Sequence, residues 1–136
     1  MPRLVMATLA HGAQDVAGLV SMLSGFIEAV SGPQLPLRQN LWLVSRLEVD
    51  TDELGQAMLV VVRVEHSDGE QLARVDANLV AQRSPAYSVE LPVGVNLVVP
   101  LSLEFRREGL YRVTVSADGE VLGGAALVVS AQLPAL

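Results

Sequence analysis

The stretch QAMLVVVRVEHSDGEQLARVDANLVA, residues 56–81, reads as two strands joined at Ser67-Asp68-Gly69-Glu70. Met58, Val60, Val62 and Val64 share one parity, while Arg63 and Glu65 lie on the other beside Leu59 and Val61. Beyond the turn, Ala73, Val75, Ala77, Leu79 and Ala81 repeat the two-residue period, with Arg74, Asp76, Asn78 and Gln82 between them. Successive side chains of a strand point to opposite faces, so the pattern describes a sheet with one dry and one wet face. Asp68-Gly69 supplies the positive φ that a tight hairpin needs.

The same grammar recurs on both sides. Downstream, Tyr111, Val113, Val115 and Ala117 alternate with Arg112, Thr114 and Ser116, and Asp118-Gly119 turns the chain into a last strand over Val121 to Ser130. Between the two hairpins, Val95, Leu97, Val99, Leu101, Leu103 and Phe105 hold one parity, and Pro100 on the other marks an edge strand or a bulge. Gln82 to Gly94, with Pro85 and Pro92, carries the chain across the molecule. Upstream, Leu41, Leu43, Ser45, Leu47 and Val49 alternate with Trp42, Val44, Arg46 and Glu48, which leaves Trp42 to face solvent, a helix or a partner. Ser31 to Asn40 carries Pro33 and Pro36 and is an irregular connection. Arg3 to Ala10 is apolar on both parities and suits a strand inside a sheet, followed by a polar turn over His11 to Asp15.

Two periods compete in Val16 to Val30. Val16, Leu19, Val20, Leu23, Phe26, Ile27 and Val30 recur at helical spacing with Gly32-Pro33 as a stop. Gly18 and Gly25 oppose a helix at about 1 kcal/mol each, whereas a strand accepts Gly25 as a bulge.

The order of motifs resembles the domain of unknown function 6941 family of small bacterial proteins. The residues that carry it are His11-Gly12-Ala13-Gln14, Ala17-Gly18-Leu19, Ser24-Gly25-Phe26, Pro33-Gln34-Leu35-Pro36, the Asp68-Gly69 hairpin, and Phe105 with Gly109-Leu110-Tyr111 before Asp118-Gly119. The resemblance implies that Leu19 to Val30 is a strand bent at Gly25. It implies no activity and no site residues.

A chain of 136 residues fits one domain, residues 1–136, able to bury roughly two thirds of its unfolded surface. With 51% hydrophobic, 4% aromatic and 18% charged residues, the core is aliphatic and valine-rich, which favours strands. Two hairpins, short strand intervals and proline-containing crossings predict an all-β, two-sheet antiparallel β-sandwich of about 7–9 strands, immunoglobulin-like or C2-like in general architecture.

Function is read mostly by exclusion. The net charge of −6 is dispersed, with no basic patch and no stacking aromatics, so neither nucleic acid nor an anionic membrane is an expected partner. Val121 to Leu136 is uncharged but too short and too interrupted to span a membrane, the N-terminal apolar run is short for a leader, and a cytoplasmic location is expected. Without cysteine there is no disulfide, thiolate nucleophile or thiolate metal ligand. Ser21, Ser24, Ser45 and Ser102 lie outside any nucleophile-elbow pattern, Gly123-Gly124 has neither a following helix nor a lysine, and no enzyme, catalytic residue or cofactor is expected.

Two metal arrangements are open to test. One needs His11, Asp15 and His66 to meet. The other gathers Asp50, Asp52 and Glu53 about a calcium ion in the Asp50 to Gly55 end loop, although such an ion takes six or more oxygen ligands. Tyr111 is expected to bury its ring and tie its hydroxyl to loop backbone. Leu4, Met6, Leu59, Val61, Val98, Leu122 and Val128 place apolar groups on a second parity, and such surfaces need a cover. A chain this short has no spare segment for a third layer, so a homodimer or another protein partner is expected to supply the cover. The reading is a non-catalytic interaction or accessory module, with a small-ligand or calcium-binding sandwich as the alternative.

Overall fold

The computed structural model describes residues 2–82 and 92–131. Among them are ten strands: β1 (Arg3–Ala10), β2 (Gly12–Val16), β3 (Leu19–Leu23), β4 (Ala29–Ser31), β5 (Leu37–Val49), β6 (Ala57–His66), β7 (Gln71–Val80), β8 (Val93–Phe105), β9 (Gly109–Ala117) and β10 (Glu120–Ser130). One sheet runs β1-β5-β8, another β4-β10-β9-β6-β7, and β2-β3 form a separate hairpin. The predicted all-β sandwich is therefore observed, with more strands than expected. Most pairs are antiparallel, but β4 joins β10 in parallel.

The opening hairpin folds as its alternation dictates. Val60 opposes Ala77, Val62 opposes Val75 and Val64 opposes Ala73 across β6 and β7. Met58, Val60, Val62 and Val64 are buried, as are Tyr111, Val113, Val115 and Ala117 from β9. From the other sheet come Leu41, Leu43, Leu47 and Val49 of β5 and Leu97, Val99, Leu101, Leu103 and Phe105 of β8. Burying each such side chain contributes about 1.5–3 kcal/mol. Pro100 sits exposed on β8, an edge strand, opposite Trp42. Most of the Gln82 to Gly94 crossing lies outside the described residues.

Four expectations are corrected. β1 is an edge strand and not an inner one; its Thr8, Leu9 and Ala10 are buried by packing above and below, which apolarity on both parities cannot distinguish from pairing on both sides. His11 to Asp15 is not a turn, since all but His11 lie in β2, which pairs antiparallel with β3 from Gly12 opposite Leu23 to Val16 opposite Leu19. The segment from Leu19 to Val30 is extended, not helical, yet it is two strands in two sheets. The bend falls about Gly25 as expected, through left-handed backbone at Ser24 (φ 52°) and Phe26 (φ 60°) on either side of it.

The fourth correction concerns the third layer. The β2-β3 hairpin supplies one, because β2 reaches both β5 and β8. Arg46 Nη1 donates to Asn96 Oδ1 at 2.8 Å, and Asn96 Nδ2 donates to the Gly18 carbonyl at 2.9 Å, which ties the hairpin tip to the small sheet. Val44, on the parity that points away from the inter-sheet core, is 2% exposed. Trp42 and Val98 on that face are half-buried. Several other second-parity residues are covered within the chain as well. Leu4 and Leu122 pack against the main core, and Val61 is buried beside Ser116, whose hydroxyl approaches the Val61 carbonyl at 3.4 Å.

Gly124 is fixed by a close approach. A Cβ there would stand 1.8 Å from the Val113 carbonyl oxygen of β9, next to the bulge in β10 between Val121 and Gly123. Backbone on the facing strand cannot yield as a side chain would. We expect Gly124→Ala to lower stability in urea by about 2–3 kcal/mol, and Gly69→Ala, with φ +100° but open space around it, to cost about 1–2 kcal/mol.

Candidate functional site

The hairpin that forms the third layer is also where apolar surface collects. Val16 pairs with Leu19 and Gly12 with Leu23, so these residues share the face of the hairpin that Ala13, Met22 and Val20 do not. That face is open: Val16 is 57% exposed, Leu19 76% and Leu23 73%. Its tip turns through Ala17 (φ 52°) and Gly18 (φ 81°), both left-handed as a two-residue turn of this kind requires. Asp15 Oδ1 accepts from Gly18 N–H at 3.1 Å and closes the turn. Asp15 is thus engaged in local structure.

Beyond β3 the chain crosses from one sheet to the other. Phe26 N–H donates to the Thr8 hydroxyl at 3.0 Å, Ile27 N–H to the Leu9 carbonyl at 3.0 Å, and Val128 N–H to the Glu28 carbonyl at 2.9 Å. Phe26 is held left-handed with its ring largely in solvent, 70% exposed. A bulky residue in that region of φ costs of order 1–3 kcal/mol and tends to persist at functional surfaces. Beneath this bridge a cleft of about 350 Å³ opens between β1 and β10. Sequence reading missed both features. Helix-like spacing hid the hairpin, and the run of exposed apolar residues from Val16 to Phe26 looked like core.

At one end of the sandwich the two turns flanking β6 and β9 are clasped. Tyr111 O–H donates to the Arg107 carbonyl at 2.7 Å, the backbone tie expected of it, and its ring meets Phe105 and His66 edge-on at 4.8 Å each. Gly109 (φ +130°) leaves room for His66, whose Nε2 would be 2.8 Å from any Cβ there. His66 Nε2 donates to the Glu108 carbonyl at 3.0 Å, and its Nδ1 faces Asp68, 3.2 Å from the backbone N–H and 3.1 Å from Oδ1. Arg107 donates to Asp68 and, at 2.6 Å, to Glu70. His66 is therefore half of a structural clasp. His11 and Asp15 do not join it. Among the described residues, Asp50, Asp52 and Glu53 alone form a group of three or more His, Asp or Glu with donor atoms gathered, all within 4.8 Å. The histidine arrangement fails because β6 delivers His66 to the β8-β9 loop while His11 and Asp15 belong to the hairpin.

The acidic loop folds as a short 3-10 turn over Thr51–Glu53. Arg3 bridges Asp50 at 3.1 Å and Glu48 at 2.9 Å, and Asp50 N–H donates to Glu53 Oε1 at 3.4 Å. Three carboxylates fall short of the six to eight oxygens calcium takes, and two of the three already have partners within the fold. Of the serines, Ser45 is buried with its hydroxyl donating to the Leu97 carbonyl at 3.0 Å, and Ser21, Ser24 and Ser102 are exposed. No helix among the described residues is long and apolar enough to cross a membrane.

The model of a family described as "Family of unknown function (DUF6941)" matches residues 5–130. The chain belongs to that family. No curated protein matches it in sequence. Among solved structures, the crystal structure of the C-terminal domain of wzt is similar at 13% identity and a TM-score of 0.47, over 97% of this chain and 75% of that one.

The Asp68 carboxyl is held well below the usual carboxylate range, first by the Arg107 guanidinium and then by Glu70 N–H. A carboxyl depressed in the folded state adds stability that is complete above its unfolded value of about 3.9 and lost as pH falls through its folded value. The melting-temperature gap between wild type and Asp68→Asn should thus hold steady from about pH 7 to 5 and close below about pH 4.

Proposed function

We propose that the chain is a non-catalytic protein-interaction module, and that the open face of the β2-β3 hairpin is its contact surface, joining two copies. The observation that carries this is Leu19 and Leu23, each about three quarters exposed on one face with Val16 beside Leu19. Soluble chains seldom leave such residues grouped in water unless a partner covers them. The hairpin is well placed for this, because its other face already packs on the small sheet and fixes its orientation. Pairing identical hairpins about a two-fold axis would be the simplest closed arrangement.

A non-catalytic role is supported by how the polar groups are spent. His66, Asp68, Arg107 and Tyr111 hold two turns together, and Ser45 ties β5 to β8. The calcium reading of Asp50 to Gly55 is the lesser one, given the bridge from Arg3.

Sedimentation velocity at about 100 μM should give a mass above the 14.5 kDa of one chain. The double variant Leu19→Ser, Leu23→Ser should sediment as a single chain, and its melting temperature should match that of wild type at a dilution where wild type is monomeric. A wild type that stays monomeric, or a variant that associates equally, would remove the hairpin from the account.

A further inference from the structure

A second surface, independent of the hairpin face, has its own chemistry. β10 pairs with β9 along one side. On its other side β4 covers only Val128 to Ser130. Val128 donates its N–H to the Glu28 carbonyl, and the Ser130 carbonyl accepts from Gly32 N–H, so both turn their peptide groups toward β4. Peptide groups alternate sides along a strand, so Ala126 and Gly124, in regular register with Arg112 and Thr114, turn theirs the same way. Among the described residues no strand is hydrogen-bonded to them: β1 runs alongside β10 across the cleft without pairing with it, and Ile27 bonds to Leu9 of β1 instead. The cleft of about 350 Å³ lies on this side, lined by Ala7, Leu9, Ala125, Ala126 and Val128 under Phe26. Small residues at Ala7, Ala125 and Ala126 leave the space, and its size falls in the range of about 300–1,000 Å³ typical of ligand sites. The one charged group on its lining is the exposed carboxylate of Glu28.

We infer that this cleft receives an extended, apolar segment of a partner protein that carries a basic residue, added to the open edge of β10 in line with β4. The N–H and C=O groups of Ala126 and Gly124 would pair with its backbone, alternate small side chains would enter between the sheets, and the basic group would answer Glu28. A compact apolar molecule would leave the edge unpaired. An acidic segment would meet both Glu28 and the net charge of −6.

The test is fluorescence anisotropy of the full chain with a fluorescein-labelled probe peptide, acetyl-Lys-Val-Ala-Val-Ala-Lys-amide. Saturable binding below about 1 mM is expected, weakened about tenfold when the central valine is N-methylated and also when glutamate replaces both lysines. Ala126→Trp, which fills the cleft from an exposed position, should weaken it about tenfold, and Glu28→Gln should bring the lysine and glutamate peptides to about equal affinity. Glu28→Gln carries the test should Ala126→Trp not fold. Leu19→Ser, Leu23→Ser should bind like wild type whether or not the chain associates, which separates this inference from the hairpin reading. No saturation by about 1 mM, indifference to N-methylation, or loss of binding in the hairpin variant would overturn it.

Discussion

Everything in this fold depends on the dry contact between two valine- and leucine-rich sheet faces. Leu41, Leu43, Leu47 and Val49 of β5 and the odd-numbered residues of β8 from Leu97 to Phe105 meet the inward residues of β6 and β9, nearly all of them at most 7% exposed. With so few aromatics, the core is filled by short branched side chains, which suit the pleated surface of a strand and little else. Tyr111 and Phe105 are the exceptions, and they close one end, where the Tyr111 hydroxyl can still reach the Arg107 carbonyl.

Once those two faces are joined, the remaining segments are placed by what they must cover. The small sheet has an apolar outer face at Trp42, Val44 and Val98, and the β2-β3 hairpin lies on it, pinned through Asn96 to Gly18. The large sheet needs less cover, since Val61 and Ser116 shelter one another on its outer side. The path from the hairpin to β10 crosses the open side of the sandwich through Phe26 and leaves the cleft behind it. The surfaces offered for contact are thus consequences of closing the core with a short chain.

Much of this was legible in the residues. Strict alternation at Met58 to Val64, Leu97 to Phe105 and Tyr111 to Ala117 gave the inward faces, Pro100 marked an edge, and Tyr111 made the backbone tie expected of it. Legibility failed where burial and pairing part company. Thr8, Leu9 and Ala10 are buried by layers and not by a strand on each side, so apolarity on both parities misplaced β1 within its sheet. The strand over Gly12 to Val16 has no fully buried residue to mark a dry side, and it read as a turn. Three residues of β4 are too few to carry a period, and their parallel pairing depends wholly on β10. The apolar hairpin face was hidden for a related reason: Leu19 and Leu23 are the residue types a core would use.

Native-state amide hydrogen exchange, at a dilution where the chain is monomeric, tests the primacy of the dry interface most directly. Amides of β5, β6 and β9 should exchange only through global unfolding, and those of β2 and β3 orders of magnitude faster, because the hairpin rests on the core without belonging to it. If Val20 and Met22 proved as slow as Val62 and Val115, the third layer would be part of the cooperative unit and the central claim would be contradicted.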